Sequence, residues 1–115
     1  MEHPARKTLA DKEMFDDIVK AILSVTGEDT VKIILYGSVA RGDNTWESDI
    51  DIAVLTDKPY RWDAFDDLWE YDLKYDTLFQ IVPIDERRYN ELKPAKLFYR
   101  NIEKEGIVLW PKKVA

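Results

Sequence analysis

Cysteine is absent from this 115-residue chain, and histidine occurs once, as His3. No disulfide can staple the fold, and a cysteine-free chain agrees with a reducing compartment. Any catalysis must proceed without histidine, because His3 lies in a polar N-terminal stretch and carries no assigned role. Long apolar runs are missing as well. None reaches the length of a membrane span, and Met1–Asp11 is polar, without the apolar core of a signal peptide. A soluble cytoplasmic protein is the expectation, with no membrane partner. The chain also lacks an excess of basic residues. Its 17 Lys and Arg stand against 23 Asp and Glu, for a formal charge of -6. Recognition of a nucleic-acid backbone needs a basic patch. The densest basic spot, Arg87-Arg88, is flanked by Asp85-Glu86. Direct nucleic-acid binding is therefore not expected, whereas docking on a basic protein is open to an acidic chain. Repeats, low-complexity segments and internal linkers are absent too, which leaves a single domain over 1–115 with 1–8 as a flexible tail.

What is present is enough to fill a core: 45% hydrophobic residues and four Trp. Thr8 with Asp11 three residues on has the form of a capping box. Met14, Phe15, Ile18, Val19 and Ile22 follow at helical spacing, and Gly27 stands where a C-terminal cap belongs. The pattern predicts a helix over 9–25, a strand over 31–36, a short helix over 38–42, a polar loop over 43–48 and a strand over 49–56. After Pro59, the spacing of Trp62, Phe65, Leu68, Trp69 and Leu73 predicts an amphipathic helix over 60–74. A strand over 77–84, helices over 85–92 and 95–105, and a short strand over 107–110 complete the chain. The fold class is α/β with α+β character: two layers, a mixed sheet and helices packed on one face. Only about twelve residues join the first two strands, too few for a full crossover helix, so these strands are expected to be antiparallel neighbours.

The most informative stretch lies between those strands. Gly37-Ser38 is followed by ten residues and then Asp49-Ile50-Asp51. Side chains alternate along a strand, so Asp49 and Asp51 share a face. Two carboxylates held close together repel unless a cation lies between them. Mg²⁺ is commonly held by one or two carboxylates together with substrate phosphates. Gly37 permits close approach of a ligand to the backbone, and Ser38 offers a hydroxyl and an N–H at the start of a helical turn, where phosphate is favoured. Ile50, Ile52 and Val54 fill one face of the second strand while Ala53 and Leu55 continue the other, so the acids enter a central, buried strand and need a counter-charge. These parts together hold a metal–nucleoside triphosphate. Ser48, directly before Asp49, reads as a loop anchor beside that site. Trp46, in the same loop, is a candidate to stack on a base; the other Trp residues read as core or interface.

The stretch Gly37-Ser38-Val39-Ala40-Arg41-Gly42, continuing to Ser48-Asp49-Ile50-Asp51-Ile52, resembles the signature of the polymerase-β-like nucleotidyltransferases, and most closely their minimal, MNT-type members. The close of the chain, Asn101-Ile102-Glu103-Lys104-Glu105-Gly106-Ile107 and an apolar strand, is similar to the close of those short proteins; the resemblance spans residues 31–110. It implies the nucleotidyltransferase fold and transfer of a nucleoside monophosphate, AMP from ATP with Mg²⁺, to an acceptor hydroxyl. It also implies a partner: MNT proteins are commonly paired as antitoxins with a small helical HEPN toxin, and modify a tyrosine of it. Carried onto this sequence, Asp49 and Asp51 are the metal ligands, and Gly37, Ser38, Arg41 and Ser48 form the nucleotide-binding set. The family places a third catalytic acid on a neighbouring strand. Here that strand reads Asp76-Thr77-Leu78-Phe79-Gln80-Ile81-Val82-Pro83-Ile84, so Asp76 is the candidate for the third acid and Gln80 the candidate replacement. If no acid stands there, a catalytically weak domain that neutralises its partner by binding is the alternative. Modification of a small molecule is a third reading.

Overall fold

The computed structural model describes residues 11–112. His3, Thr8 and the tail expected over 1–8 lie outside them. Helix α1 runs Lys12–Thr26 and buries Met14, Phe15, Ile18 and Ile22 of the helically spaced stripe read from the sequence, with Ala21 added and Val19 only half-buried. Asp11 occupies its N-cap. Strand β1 is Thr30–Tyr36, the short helix α2 is Gly37–Arg41, and strand β2 is Ile50–Thr56. Helix α3, Trp69–Tyr75, leads into strand β3, Phe79–Asp85. Helices α4, Glu86–Leu92, and α5, Leu97–Glu105, precede strand β4, Ile107–Trp110. Asp85 begins α4 as a true cap, its carboxylate accepting from the Arg87 N–H at 3.0 Å. Among the described residues no helix is long and apolar enough to cross a membrane.

The four strands form one mixed sheet in the order β3-β2-β1-β4. β1 and β2 are antiparallel, as the short connection requires, and β4 pairs antiparallel with β1 on its other side. β3 pairs parallel with β2, reached through the longer crossover that carries α3. β2 is thus central, and Ile50, Ile52, Ala53 and Val54 are completely buried.

Helices cover both faces of this sheet, which corrects the expectation of one. Ile33, Leu35, Ile50, Ile52 and Val54 pack with α1 and with Phe65 on one face. Ile34, Ala53, Leu55 and Ile84, the residues of opposite parity, pack with Tyr89 of α4 and Ile102 of α5 on the other. A strand apolar at consecutive positions has two faces to shield, so one helical layer cannot suffice. Each such side chain removed from water contributes on the order of 1.5–3 kcal/mol.

The segment 60–74 also departs from its pattern. It forms a 3-10 turn at Asp66–Leu68 and then the short α3, in place of one long helix. Of the five apolar positions, Phe65 is buried, but Trp62 is 79% exposed and Trp69 61%. Asp63, Asp66 and Asp67 crowd this stretch, and Asp competes with the helix by bonding nearby backbone groups.

Candidate nucleotide and metal site

The site forms where β1 gives way to α2. Tyr36 ends the strand with extended backbone, and Gly37 turns the chain with φ +75°. L-residues with a side chain rarely adopt that conformation. There is a second demand on the position: a Cβ placed on Gly37 would collide with the Asp51 carboxylate oxygen. The glycine therefore leaves the space that Asp51 occupies. Ser38 follows, half-buried in the first turn of α2. Its carbonyl accepts from the N–H groups of Gly42 at 2.9 Å and Asp43 at 3.1 Å, which closes the turn. The loop that follows holds itself. The Ser48 Oγ accepts from the Thr45 N–H at 2.9 Å, and the Ser48 N–H donates to the Thr45 carbonyl at 3.1 Å. Ser48 thus anchors the loop that delivers Asp49.

Asp49 lies one residue ahead of β2, and Asp51 is the second residue of that strand. Asp51 is half-buried and faces Tyr36 across the β1–β2 ladder. Burial pushes the Asp51 carboxyl above the usual carboxylate range, the nearby charge of Asp49 adds to this, and Arg41 opposes it. The Tyr36 phenol is pushed up to about 12 by burial and by Asp51, so it stays protonated at neutral pH. Its ring stands edge-on to Phe98 of α5 at 5.7 Å between centroids. Arg41 is on the surface and links α2 to α5, with Nη1 donating to Glu105 at 2.9 Å and Nε to Asp43 at 3.1 Å. Exposed pairs of this kind hold weakly and can be exchanged for a ligand's anion.

A half-buried Asp51 carboxylate whose ionisation is opposed by burial and by the Asp49 charge, beside a backbone cradle only glycine permits, fits a single hard divalent cation completed by phosphate oxygens. The two acids do not make an all-protein metal cage: among the described residues no three His, Cys, Asp or Glu side chains gather closely enough to hold an ion. This bears on the third acid. Asp76 is not on β3 but caps the C-terminus of α3 in the left-handed conformation, φ 48° and ψ 51°, which Asp tolerates better than most residues. It lines a cavity of about 260 Å³ together with Asp49, Ser48 and Trp46. It does not join Asp49 and Asp51 in a three-acid group. The residue in register with Asp51 on β3 is Gln80. Parallel partners project to the same side of the sheet, so Gln80 stands beside Asp51 on that side. Tyr36 was the contact missed in the sequence; its signal was its position directly before Gly37 at the end of β1.

These parts have counterparts in known proteins. The family model described as polymerase beta nucleotidyltransferase matches residues 18–114. A Methanocaldococcus jannaschii protein, provisionally described as a protein adenylyltransferase, is 35% identical over 100 residues, covering 87% of this chain and 98% of that one. Among solved structures, a chain of a toxin–antitoxin complex with AMP-PNP superposes with a TM-score of 0.59 at 25% identity, over 86% of this chain and 74% of that chain. A chain from the complex of tri-AMPylated Shewanella oneidensis HEPN toxin with its MNT antitoxin gives 0.56 at 22% identity, over 88% and 72%; this second likeness is one of fold. A family match over most of the chain, joined to a glycine turn that makes room for the second aspartate of the pair, leads to one conclusion: the protein belongs to the polymerase beta nucleotidyltransferase family.

Proposed function

We propose that this protein transfers AMP from ATP, with Mg²⁺, to a hydroxyl of a partner protein, and that the acceptor is a tyrosine of a HEPN-type helical toxin that the chain restrains as an antitoxin. The observation that carries the reading is the Asp51 carboxylate lying in the space that Gly37 leaves open, with Asp49 close enough to perturb it. The 35%-identical relative described as a protein adenylyltransferase supports the reaction class. Similarity to chains of complexes containing AMP-PNP or an AMPylated HEPN toxin supports the nucleotide and the partner.

Asp49 and Asp51 would hold the metal, which when bound neutralises triphosphate charge and draws electron density from the phosphorus. The Gly37 and Ser38 N–H groups and the Ser38 hydroxyl would bind the distal phosphates. Arg41, released from Glu105, adds a planar donor there. The acceptor oxygen forms a bond to the α-phosphorus, the bond from that phosphorus to the bridging oxygen breaks, and pyrophosphate leaves. The acceptor's proton passes to a carboxylate of the pair or to solvent.

Incubation of this chain, ATP and Mg²⁺ with the HEPN-type protein encoded beside it should add the mass of AMP to that protein. Stable co-purification without any added mass would favour the alternative, neutralisation by binding alone. The absence of an acid at position 80 is the observation behind that alternative.

Asp76 and Gln80 separate by mutation. Asp76→Ala should alter transfer far less than the roughly 10²-fold or greater loss that follows removal of a general base. Gln80→Asp should lower the Mg²⁺ concentration needed for ATP binding, because it places a third carboxylate at the register of Asp51. A collapse of activity in Asp76→Ala with the fold intact would restore Asp76 as the third acid.

A further inference from the structure

β3 is a terminal strand of the sheet, and one of its edges is unpaired. The Ile50 N–H donates to the Leu78 carbonyl at 2.9 Å. In a parallel ladder, alternate residues turn their backbone groups to the same neighbour, so Phe79, Ile81 and Pro83 direct theirs away from β2. Two of these are guarded. The Phe79 N–H is taken by the Asp72 carboxylate at 3.1 Å, and Pro83 has no N–H to offer. Ile81, between them, presents both its N–H and its carbonyl.

A groove of about 590 Å³ follows this edge. Trp62 and Trp69 wall it, 79% and 61% exposed, and Leu78, Ile81 and Pro83 form its floor. Two largely exposed Trp side chains beside an unpaired strand edge suit the addition of an extended peptide. The charge is one-sided. Asp66 and Asp72 are among the lining residues and no Lys or Arg is. Asp67 and Glu70, next in the chain to the lining residues Asp66 and Trp69, are exposed, and the ion pairs of the described residues include neither these two nor Asp66. The groove also leads to the reacting centre. Gln80 lines it and is the register partner of Asp51, and Leu78 is shared with the cavity that holds Asp49.

From this geometry we propose that the groove docks an extended, cationic segment of the partner polypeptide, laid along β3 with its acceptor hydroxyl delivered to Asp49 and Asp51; the delivery rests on the nucleotidyl-transfer reading above, the docking does not. Apolar side chains of the segment cover Trp62 and Trp69, its basic side chains meet Asp66, Asp67 and Glu70, and its backbone pairs with Ile81. A second copy of this chain is a poor occupant. It brings the same acids, and the guards at Phe79 and Pro83 reduce edge-to-edge pairing to one residue.

The test uses the whole chain and a fluorescein-labelled pool of nonapeptides with a central Tyr, flanked by Lys or Arg alternating with Val or Phe. A second pool replaces Lys and Arg by Glu and Asp. The cationic pool should bind, quench Trp fluorescence and slow amide exchange at Ile81; the acidic pool should not bind. The double substitution Trp62→Ala with Trp69→Ala should weaken cationic binding about tenfold or more. Asp66→Lys should weaken it as well, and both variants should keep ATP binding in Mg²⁺. Failure of the cationic pool to bind, equal binding of the two pools, or binding indifferent to the Trp substitutions would overturn the proposal. So would a wild-type dimer that the double substitution dissolves. Wild-type protein that binds the cationic pool as described but shows no Mg²⁺-dependent ATP binding would sink the nucleotide reading and leave the groove standing.

Discussion

Asp51→Asn is expected to lower AMP transfer on the order of 10²-fold or more while leaving the isolated protein as stable as the wild type, or more so. The two effects have one cause. Asp51 is half-buried beside Asp49, and burial followed by the Asp49 charge raises its carboxyl above the usual range. A carboxyl whose folded pKa exceeds its unfolded one binds protons more tightly in the fold. Its contribution to stability is greatest at low pH and declines as pH rises through the unfolded value towards the folded one, so its charge works against the metal-free fold at neutral pH. Asn removes that charge and keeps the shape, but supplies no anionic ligand. Calorimetry should show ATP binding to the wild type strengthened by Mg²⁺ over EDTA, and the difference should vanish in Asp51→Asn. In the wild type, the Mg²⁺-dependent part should grow as pH rises through the Asp51 titration, since only the carboxylate binds a hard cation. Equal ATP binding with and without Mg²⁺ in the wild type would remove the basis of the site assignment.

Gly37→Ala should cost stability and abolish Mg²⁺-dependent ATP binding together, and Gly42→Ala provides the control. Both glycines have positive φ, +75° and +80°, and a side chain in that region costs roughly 1–2 kcal/mol at either position. They differ in what surrounds them. A Cβ on Gly42 meets nothing within 4 Å, whereas one on Gly37 collides with the Asp51 carboxylate. Denaturant unfolding should therefore show a loss in both variants and a larger one at Gly37, where either the α2 turn or Asp51 must move. Only Gly37→Ala should disturb the metal ligand. If both variants bind ATP with Mg²⁺ equally well, the packing of Asp51 against Gly37 is not what sets the site.

Legibility followed the range of the interaction. The helix carrying Phe15, Ile18 and Ile22, the strands on either side of Gly37-Ser38, and the antiparallel pairing forced by a short connection are all set by residues near each other in the chain. The same holds for Gly37 and for the alternation that gives Asp49 and Asp51 a common side. The helix expected over 60–74 did not form as one piece, because helical spacing identifies an apolar stripe but not what covers it, and Trp62 and Trp69 stay exposed. Parity could not rank Asp76 against Gln80, because the chain turns through a left-handed cap at Asp76 before β3 begins.

The sequence by itself determined the local chemistry: a glycine turn, a hydroxyl at a helix start, two carboxylates at the entry of one strand, and enough apolar surface for a buried sheet. Tertiary structure alone decided which residue of β3 stands beside Asp51, which helices shield which face, and that the aromatic flank of β3 is open. The physical reason is that strand register and packing partners are chosen between segments distant in the chain. A one-residue shift of β3 would exchange Gln80 for Phe79 or Ile81 beside Asp51, and the choice is fixed by which face must bury Phe79 and which Ile84.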